Sequence, residues 1–548
     1  MGLLRPCGAR TDDVFLMTKQ RAFFLTLILV ALVGIFLTLY ATPEGLGLSD
    51  DSIAYIAGAR SILSGQGYRE AWLATNGYVT HYPPVFSSTL AFIGLSGMDP
   101  LRAARFLNAF LFGANAFLLG LIGWRMAKLQ IAGMVSALLF AANASLFRVH
   151  VTAMSEPLYI FFSLAAFLTF ASYFGVKQLA VPSGGTHRAG ELPNSKWLIA
   201  TGILTSFAYL TRYAGLALLV TFLFALILLH DNWKQRLSRA GIFLAGFLPL
   251  TLAWSIRNKF IADAATNRTF VYHPLTQENI NSSIYNLSEF LIPVETWRRA
   301  LIKDINYFFV FASVIAFILF VWTACKGLKK FLWPSSETPE ILSLTNGLYI
   351  FGYLASIISS MLFFDASTKF KLRILAPIYV ALLILFVFFG HWLWQKRAMF
   401  WRGLVIIIFP VVFFLSACQT YNAARELHAG GGQGYASFKW YDSKAMDFLS
   451  KLPEGTRIYT NQAPAVYLYT NRPAYVLPDL VDPVTGLPRG NFEYGVNKLH
   501  EDVLSGSAAL ALFEYGAEAE EVRKVYDHLS EGLYLALQAQ GDRIYTAP

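Results

Sequence analysis

Charged side chains are few in this chain. Only 14% of its 548 residues are Asp, Glu, Lys or Arg, where a soluble domain carries about 25%. With a mean hydropathy of +0.48, that shortage excludes an ordinary soluble protein and points to a polytopic membrane chain. Cysteine is almost missing. Cys7 lies in the N-terminal tail, and Cys325 and Cys418 lie at or within apolar segments. The hydrophilic C-terminal region has none, so no disulfide framework holds it. That region also lacks a Gly-rich phosphate loop and clustered metal ligands, and the chain has no internal repeat or low-complexity tract. The first apolar segment lacks the short core and small-residue cleavage site of a removable signal peptide.

Apolar and aromatic residues fill the space that charge leaves. They make up 55% and 16% of the chain, with 46 Phe, as lipid-facing helices with interfacial rings require. Hydropathy predicts about eleven spans, near 23–41, 106–124, 129–147, 157–176, 197–211, 213–230, 240–256, 305–324, 343–363, 374–392 and 403–420. The net charge of +10 does not indicate nucleic acid, because its Lys and Arg sit in short loops where they set topology. They occur in the tail (Arg5, Arg10, Lys19, Arg21) and in alternate loops: Arg125 and Lys128; Lys177, Arg188 and Lys196; Lys234, Arg236 and Arg239; Lys326, Lys329 and Lys330; Lys396, Arg397 and Arg402. The positive-inside rule makes that side, with tail 1–22, cytoplasmic, and the protein a multi-pass plasma or inner-membrane protein. Loop 42–105, the Ser155-Glu156 turn, loop 257–304, segment 365–373 and everything after Thr420 then lie outside.

Residues 421–548 are long enough for a domain of their own. Helical spacing over 442–452, 463–469 and 518–528 alternates with strand patterns over 457–460, 474–477, 508–513, 534–537 and 543–546. This predicts an extracytoplasmic α/β layer after a membrane domain over 23–420.

The residues for chemistry gather on the outer side. Past the first span comes Leu48-Ser49-Asp50-Asp51-Ser52-Ile53-Ala54-Tyr55. Ser49 is placed to cap a helix whose first turn holds both Asp residues. The positive helix end keeps a carboxylate ionised, as a base requires, though Asp in a first turn is also ordinary capping chemistry. Tyr55, Ile56, Ala59, Ile62 and Leu63 share one face of this helix, which predicts that it lies in the membrane interface with that face down. Arg60 is elsewhere on the helix, which ends at Gly65-Gln66-Gly67-Tyr68. His81-Tyr82-Pro83-Pro84 then breaks the chain before an apolar run.

Glu156 in Ser155-Glu156-Pro157 is a second outer carboxylate, and the two together could divide acid and base work or hold a cation. Arg212, flanked by apolar residues in Leu210-Thr211-Arg212-Tyr213-Ala214, must find a partner or a function. Arg257, Lys369, Lys371 and Arg373 lie on the same side and suit a lipid phosphate, with snorkelling to headgroups as the plain alternative for the span-end arginines.

In combination these motifs resemble the GT-C superfamily of integral-membrane glycosyltransferases, in particular the branch of protein O-mannosyltransferases, aminoarabinose transferases and their bacterial relatives. The motifs are Asp51 four residues before Tyr55, Ala59-Arg60, Gly65-Gln66-Gly67-Tyr68, Pro83-Pro84, Ser155-Glu156-Pro157, Thr211-Arg212, Arg257-Asn258 and the run from Arg373 to Tyr379. They cover residues 20–390. Ser52 stands where the best-known branches have Glu, and Tyr82 where the aminoarabinose branch has Lys, which favours the broader bacterial group.

The resemblance implies an inverting transfer of a sugar from a polyprenyl-phosphate donor to an acceptor hydroxyl on protein, lipid or glycan. Asp51 would be the base, with Glu156 as its companion. Arg257 or Arg373 would meet the leaving phosphate, and Asp50, Tyr55, Arg60, His81, Tyr82 and Arg212 would line the substrate site. The resemblance implies no certain cofactor. Metal use varies across the superfamily, so a divalent cation on Asp51 and Glu156 is left open. A lipid or glycan transporter is the rival reading, but no inverted repeat is present and the ionisable residues collect on one face instead of at the midplane.

Overall fold

Long helices dominate the chain because its apolar runs must satisfy every backbone group within themselves in lipid. The computed structural model describes residues 9–179, 195–262, 270–274, 276–291, 294–301, 305–333, 336–364, 370–396, 398–482 and 485–548. Arg5, Cys7, Arg188, Lys369 and Arg397 lie outside them. The helices up to the C-terminal domain are α1 (Ala9–Ala41), α2 (Asp50–Leu63), α3 (Val85–Gly94), α4 (Pro100–Ala127), α5 (Gln130–Ala141), α6 (Ala144–His150), α7 (Glu156–Leu179), α8 (Ser195–Thr211), α9 (Leu216–Leu229), α10 (Trp233–Ala262), α11 (Gln277–Leu291), α12 (Glu295–Leu301), α13 (Ile305–Leu332), α14 (Ile341–Phe363), α15 (Leu372–Gln395) and α16 (Met399–Ala429).

Every apolar segment expected from hydropathy is helical, but the count of eleven spans is not confirmed. Among the described residues eight helices are long and apolar enough to cross a membrane, or nine if α5 and α6, bent by 63°, form one broken span. The other two are α8 and α9. At about 1.5 Å per residue, 17 and 14 residues reach only about 25 and 21 Å, short of the ~30 Å hydrocarbon core. The chain reverses between them. Thr201 near the start of α8 bonds Thr169 in the second half of α7, Arg212 after α8 meets Glu156 at the start of α7, and His230 after α9 meets Tyr173 near the end of α7. The break at Arg212 falls where hydropathy separates the segments 197–211 and 213–230. Helices α8 and α10 approach backbone to backbone through Gly202 and Gly246, where an added Cβ would lie 2.2 Å from the Phe243 carbonyl oxygen and 2.4 Å from that of Ile199.

The two ends of the bundle differ. One carries Arg125 on Ser172 Oγ, Arg236 on the His230 carbonyl and Lys330 near Asp231. The other carries Asp51, Glu156, Arg212 and Arg373.

The C-terminal domain adds α17 (Phe438–Tyr441), α18 (Lys444–Lys451), β1 (Arg457–Thr460), α19 (Ala463–Thr470), β2 (Tyr475–Val476), α20 (Phe492–Leu504), β3 (Ala508–Leu512), α21 (Glu520–Ser530), β4 (Tyr534–Ala539) and β5 (Asp542–Thr546). The sheet order is β2-β1-β3-β5-β4. Strand β1 is parallel to β2 and β3, and β5 is antiparallel to β3 and β4. Successive strand residues point to opposite faces, and both faces are used. Tyr459, Leu510, Leu512 and Tyr545 pack under α20 and α21 with Val496, Leu499 and Leu529. Ile458, Ala511 and Ile544 face the other way, into a core shared with Ile53, Tyr55 and Ile56 of α2. Helix α20 was not foreseen from the sequence.

Helix α2 therefore departs from its expected setting. Residues Ser52 to Ala59 are all buried, because α3 covers one side and the C-terminal domain another. It is a buried strut between two bodies, not a helix with one face on lipid.

Candidate active site

Asp51 sits where α2 begins. Ser49 precedes the helix in extended conformation, and its backbone N–H donates to Ser52 Oγ at 3.1 Å. Asp51 thus projects from the positive helix end. Its Oδ1 accepts from the Tyr82 hydroxyl at 2.6 Å and its Oδ2 lies 2.7 Å from Arg373 Nη1. The side chain keeps 28% exposure, so one edge faces the open side. Burial pushes the Asp51 carboxyl up, but the Arg373 charge, the Tyr82 hydroxyl and Arg212 outweigh it and hold it below the usual carboxylate value. Tyr82 goes the other way. Burial and the Asp51 charge push its phenol far up, so it remains a donor.

Glu156 forms a second pair. It opens α7, is wholly buried, and has Arg212 Nη1 2.8 Å from its Oε1. Arg212 Nη1 also donates to Ser155 Oγ at 3.3 Å, and that oxygen lies 3.3 Å from the Tyr55 hydroxyl. Tyr55 packs against Tyr82 with ring centroids 5.0 Å apart and planes tilted by 58°, and burial pushes its phenol up to about 12. Ser155 and Met154, whose sulfur is 3.6 Å from Arg373 Nη1, join the two pairs into one cluster. Neither was named from the sequence for itself, although both lie in the turn that carries Glu156.

The remaining candidates stand outside this cluster. Asp50 turns to the C-terminal domain, where its Oδ1 meets the Tyr435 hydroxyl. Arg60 sits near the other end of α2 and grips Asp99 through Nε at 3.0 Å and Nη2 at 3.1 Å. Asp99 in turn caps α4 by accepting from the Leu101 N–H. His81 packs at a tilt against Tyr82 and has Nδ1 3.6 Å from Glu70. Arg257 spends Nη1 on the Val79 carbonyl at 2.6 Å and Nη2 on that of Tyr68 at 3.3 Å, with its guanidinium 4.7 Å from the Trp254 ring centroid. It staples the first outer loop to the end of α10.

The cluster does not fit a divalent cation. No three His, Cys, Asp or Glu side chains converge among the described residues. The two carboxylates also each face a guanidinium, which repels a metal ion from the space between them.

Comparison with known proteins fits this architecture. The model of the dolichyl-phosphate-mannose-protein mannosyltransferase family matches residues 29–256, a stretch that holds Asp51, Tyr82, Glu156 and Arg212. ArnT from Cupriavidus metallidurans matches in its apo state with a TM-score of 0.51 at 13% identity, over 99% of this chain and 100% of that one. The same protein bound to undecaprenyl phosphate gives 0.53 at 13% identity, over 96% and 99%. The archaeal oligosaccharyltransferase AglB from Archaeoglobus fulgidus, in complex with an inhibitory peptide and a dolichol-phosphate, gives 0.55 at 12% identity, over 92% and 70%. The chain has the GT-C fold, and its N-terminal membrane half matches a glycosyltransferase family. The resemblance drawn from the motifs agrees with this fold and with the family match over residues 29–256. A search of curated protein sequences gives no match. In this GT-C chain the carboxylate–arginine cluster extends past the stretch that the family model covers, since Arg373 comes from α15.

Proposed function

We propose that this protein is an inverting glycosyltransferase that moves a sugar from a polyprenyl-phosphate donor to an acceptor hydroxyl on the extracytoplasmic side, with Asp51 as base. The observation that carries the reading is the Asp51 carboxylate, kept ionised between Tyr82 and Arg373 with one edge open. The binding of undecaprenyl phosphate by ArnT and of dolichol-phosphate by AglB supports a lipid phosphate as the carrier. The basic residues at the opposite end of the bundle support a cytoplasmic placement of that end.

The chemistry balances within the cluster. The acceptor oxygen attacks the anomeric carbon and gives its proton to Asp51. The bond from that carbon to the phosphate oxygen breaks, and its electron pair leaves on the phosphate. A single displacement inverts the anomeric centre. Arg373 serves both partners. When Asp51 is neutralised the guanidinium loses its counter-charge just as the phosphate gains one, so positive charge is already in place where negative charge develops. A phosphate that draws Arg373 away also raises the basicity of Asp51 toward its task. Arg212, held by Glu156, adds fixed positive field, and Tyr82 keeps the carboxylate oriented.

The test uses the purified protein in vesicles with polyprenyl-phosphate sugars. Asp51→Asn keeps the size of the side chain and its capping ability but cannot accept the proton, so turnover falls at least ~100-fold with the thermal midpoint retained. Wild-type turnover in that variant removes Asp51 as the base, and a product of retained anomeric configuration rules out the single displacement. Arg373→Lys recovers only part of what Arg373→Ala loses, because an ammonium lacks the planar fork that meets two phosphate oxygens.

A further inference from the structure

Asp50 and Asp51 are neighbours, but they serve different bodies. Successive residues of a helix point about 100° apart, so when Asp51 faces Tyr82 and Arg373, Asp50 must face elsewhere. It faces the C-terminal domain, where the Tyr435 hydroxyl meets its Oδ1 and the Gln462 side-chain amide lies 2.7 Å from the same hydroxyl. A hydroxyl has one proton, and the carboxylate is the stronger acceptor. The hydroxyl therefore donates to Asp50, with Gln462 Oε1 beside it as the second acceptor.

The backbone just before Asp50 is held by the same two bodies. Leu48 N–H donates to the Gln433 carbonyl at 2.9 Å, and Tyr435 N–H donates to the Leu48 carbonyl at 3.0 Å. On its other side Gly47 pairs with the segment that leads to Glu156, through Gly47 N–H on the Val151 carbonyl and Ala153 N–H on the Gly47 carbonyl, both at 2.9 Å. Gly434 makes the close approach possible. It has φ +62, and a Cβ there would lie 2.0 Å from the Leu48 carbonyl oxygen. Tyr435 itself is fixed by the Trp440 ring at 5.4 Å and by the Tyr469 hydroxyl, which donates to its carbonyl at 2.5 Å.

We propose that Tyr435 of the C-terminal domain is a positioning residue for transfer: by holding Asp50 it fixes the first turn of α2 and so sets where the Asp51 carboxylate points. This rests on the reading of Asp51 as the base. The domain is then a part of the active-site scaffold, acting through a residue that touches no reacting atom. Displacing a catalytic group by about 1 Å can cost on the order of 100-fold in rate, and the first turn of α2 has no other side-chain tie to the domain among the hydrogen bonds of Asp50 and Asp51.

The experiment compares four full-length variants in vesicles supplied with a polyprenyl-phosphate sugar: Tyr435→Phe, Asp50→Ala, Tyr459→Phe and Asp51→Asn. Tyr435→Phe keeps the ring and removes the contact, and Asp50→Ala removes the same contact from the other partner, so either reports if the other folds poorly. Tyr459 bonds Asp502 at 2.7 Å on the opposite face of the sheet and controls for general loosening of the domain. The expected result is a fall in kcat of ~5- to ~100-fold in the first two, with little change in KM for the donor. The acid limb of the pH–rate profile moves upward in both as Asp51 loses its fixed neighbours, and the two substitutions combine less than additively. Tyr459→Phe leaves kcat and the profile alone. Wild-type kcat and pH profile in Tyr435→Phe and Asp50→Ala, with Asp51→Asn inactive, overturn the positioning role and leave the base standing. The same holds if Tyr459→Phe shows the same kinetic change. An active Asp51→Asn overturns both readings.

Discussion

A single proton decides whether Asp51 is a base. Its folded value is depressed, so the stability gained from its Arg373 and Tyr82 contacts is fully present above the unfolded carboxylate value and is lost as pH falls through the lower folded one. The acid limb of kcat/KM for the free enzyme is therefore expected below the ordinary carboxylate range near ~4. Arg373→Ala removes the largest opposing charge and moves that limb upward, and Tyr82→Phe moves it in the same direction. A pH–rate profile measured on each variant checks the order. Glu156 behaves differently because it is wholly buried. Arg212→Ala strands its charge, at a cost of about 3–5 kcal/mol, and the thermal midpoint drops. Adding Glu156→Gln to Arg212→Ala recovers most of the midpoint without recovering transfer, as thermal melts and turnover on the two variants will read out.

Elements carry the residues, and the sequence announced most of them. The apolar runs gave every helix of membrane-crossing length, and strand patterns gave all five strands of the C-terminal sheet within a residue or two. Ser49 before two acidic residues marked the start of α2, and the prolines after Tyr82 marked the start of α3. Pairings were another matter. Nothing in the local pattern of Arg60 says that it will meet Asp99, or that Arg257 will turn to loop carbonyls while Arg373 meets Asp51 from 322 residues away. Such contacts depend on how helices pack, and a periodicity cannot encode them. The run Gly430-Gly431-Gly432-Gln433-Gly434 did carry a readable hint, since clustered glycines mark close backbone approach. Helix α8 was legible as the segment 197–211: its composition is that of a span and only its length, 17 residues, departs. Its contact with α10 is tight enough to test. Gly246→Val forces the two backbones apart at Ile199 and is expected to destabilise by about 1–3 kcal/mol, seen as a lower thermal midpoint. Activity falls with it, because Arg212 follows α8 and Arg257 ends α10.

At the scale of the whole molecule, the two ends of the bundle and the domain beyond it define an orientation. On the proposed orientation, with the basic end cytoplasmic, the site and residues 421–548 lie outside. A topology reporter joined after Pro548 is expected to be active only on the extracytoplasmic side, and cytoplasmic activity would put the proposed site on the wrong face. The contact between Tyr435 and Asp50 spans 385 residues, and this has a consequence for how the protein is made. The proposed base is synthesised more than 380 residues before Tyr435, which emerges only after α16. Closing so long a loop costs little more free energy than closing a shorter one, since the entropy grows only with the logarithm of length, but it sets an order of events. A ribosome still at work on α16 has delivered the carboxylate, the tyrosine and both arginines into the membrane without the piece that aligns them. On the proposed reading, full competence waits for residues 421–548, and a chain released before them is inserted with its cluster unsteadied.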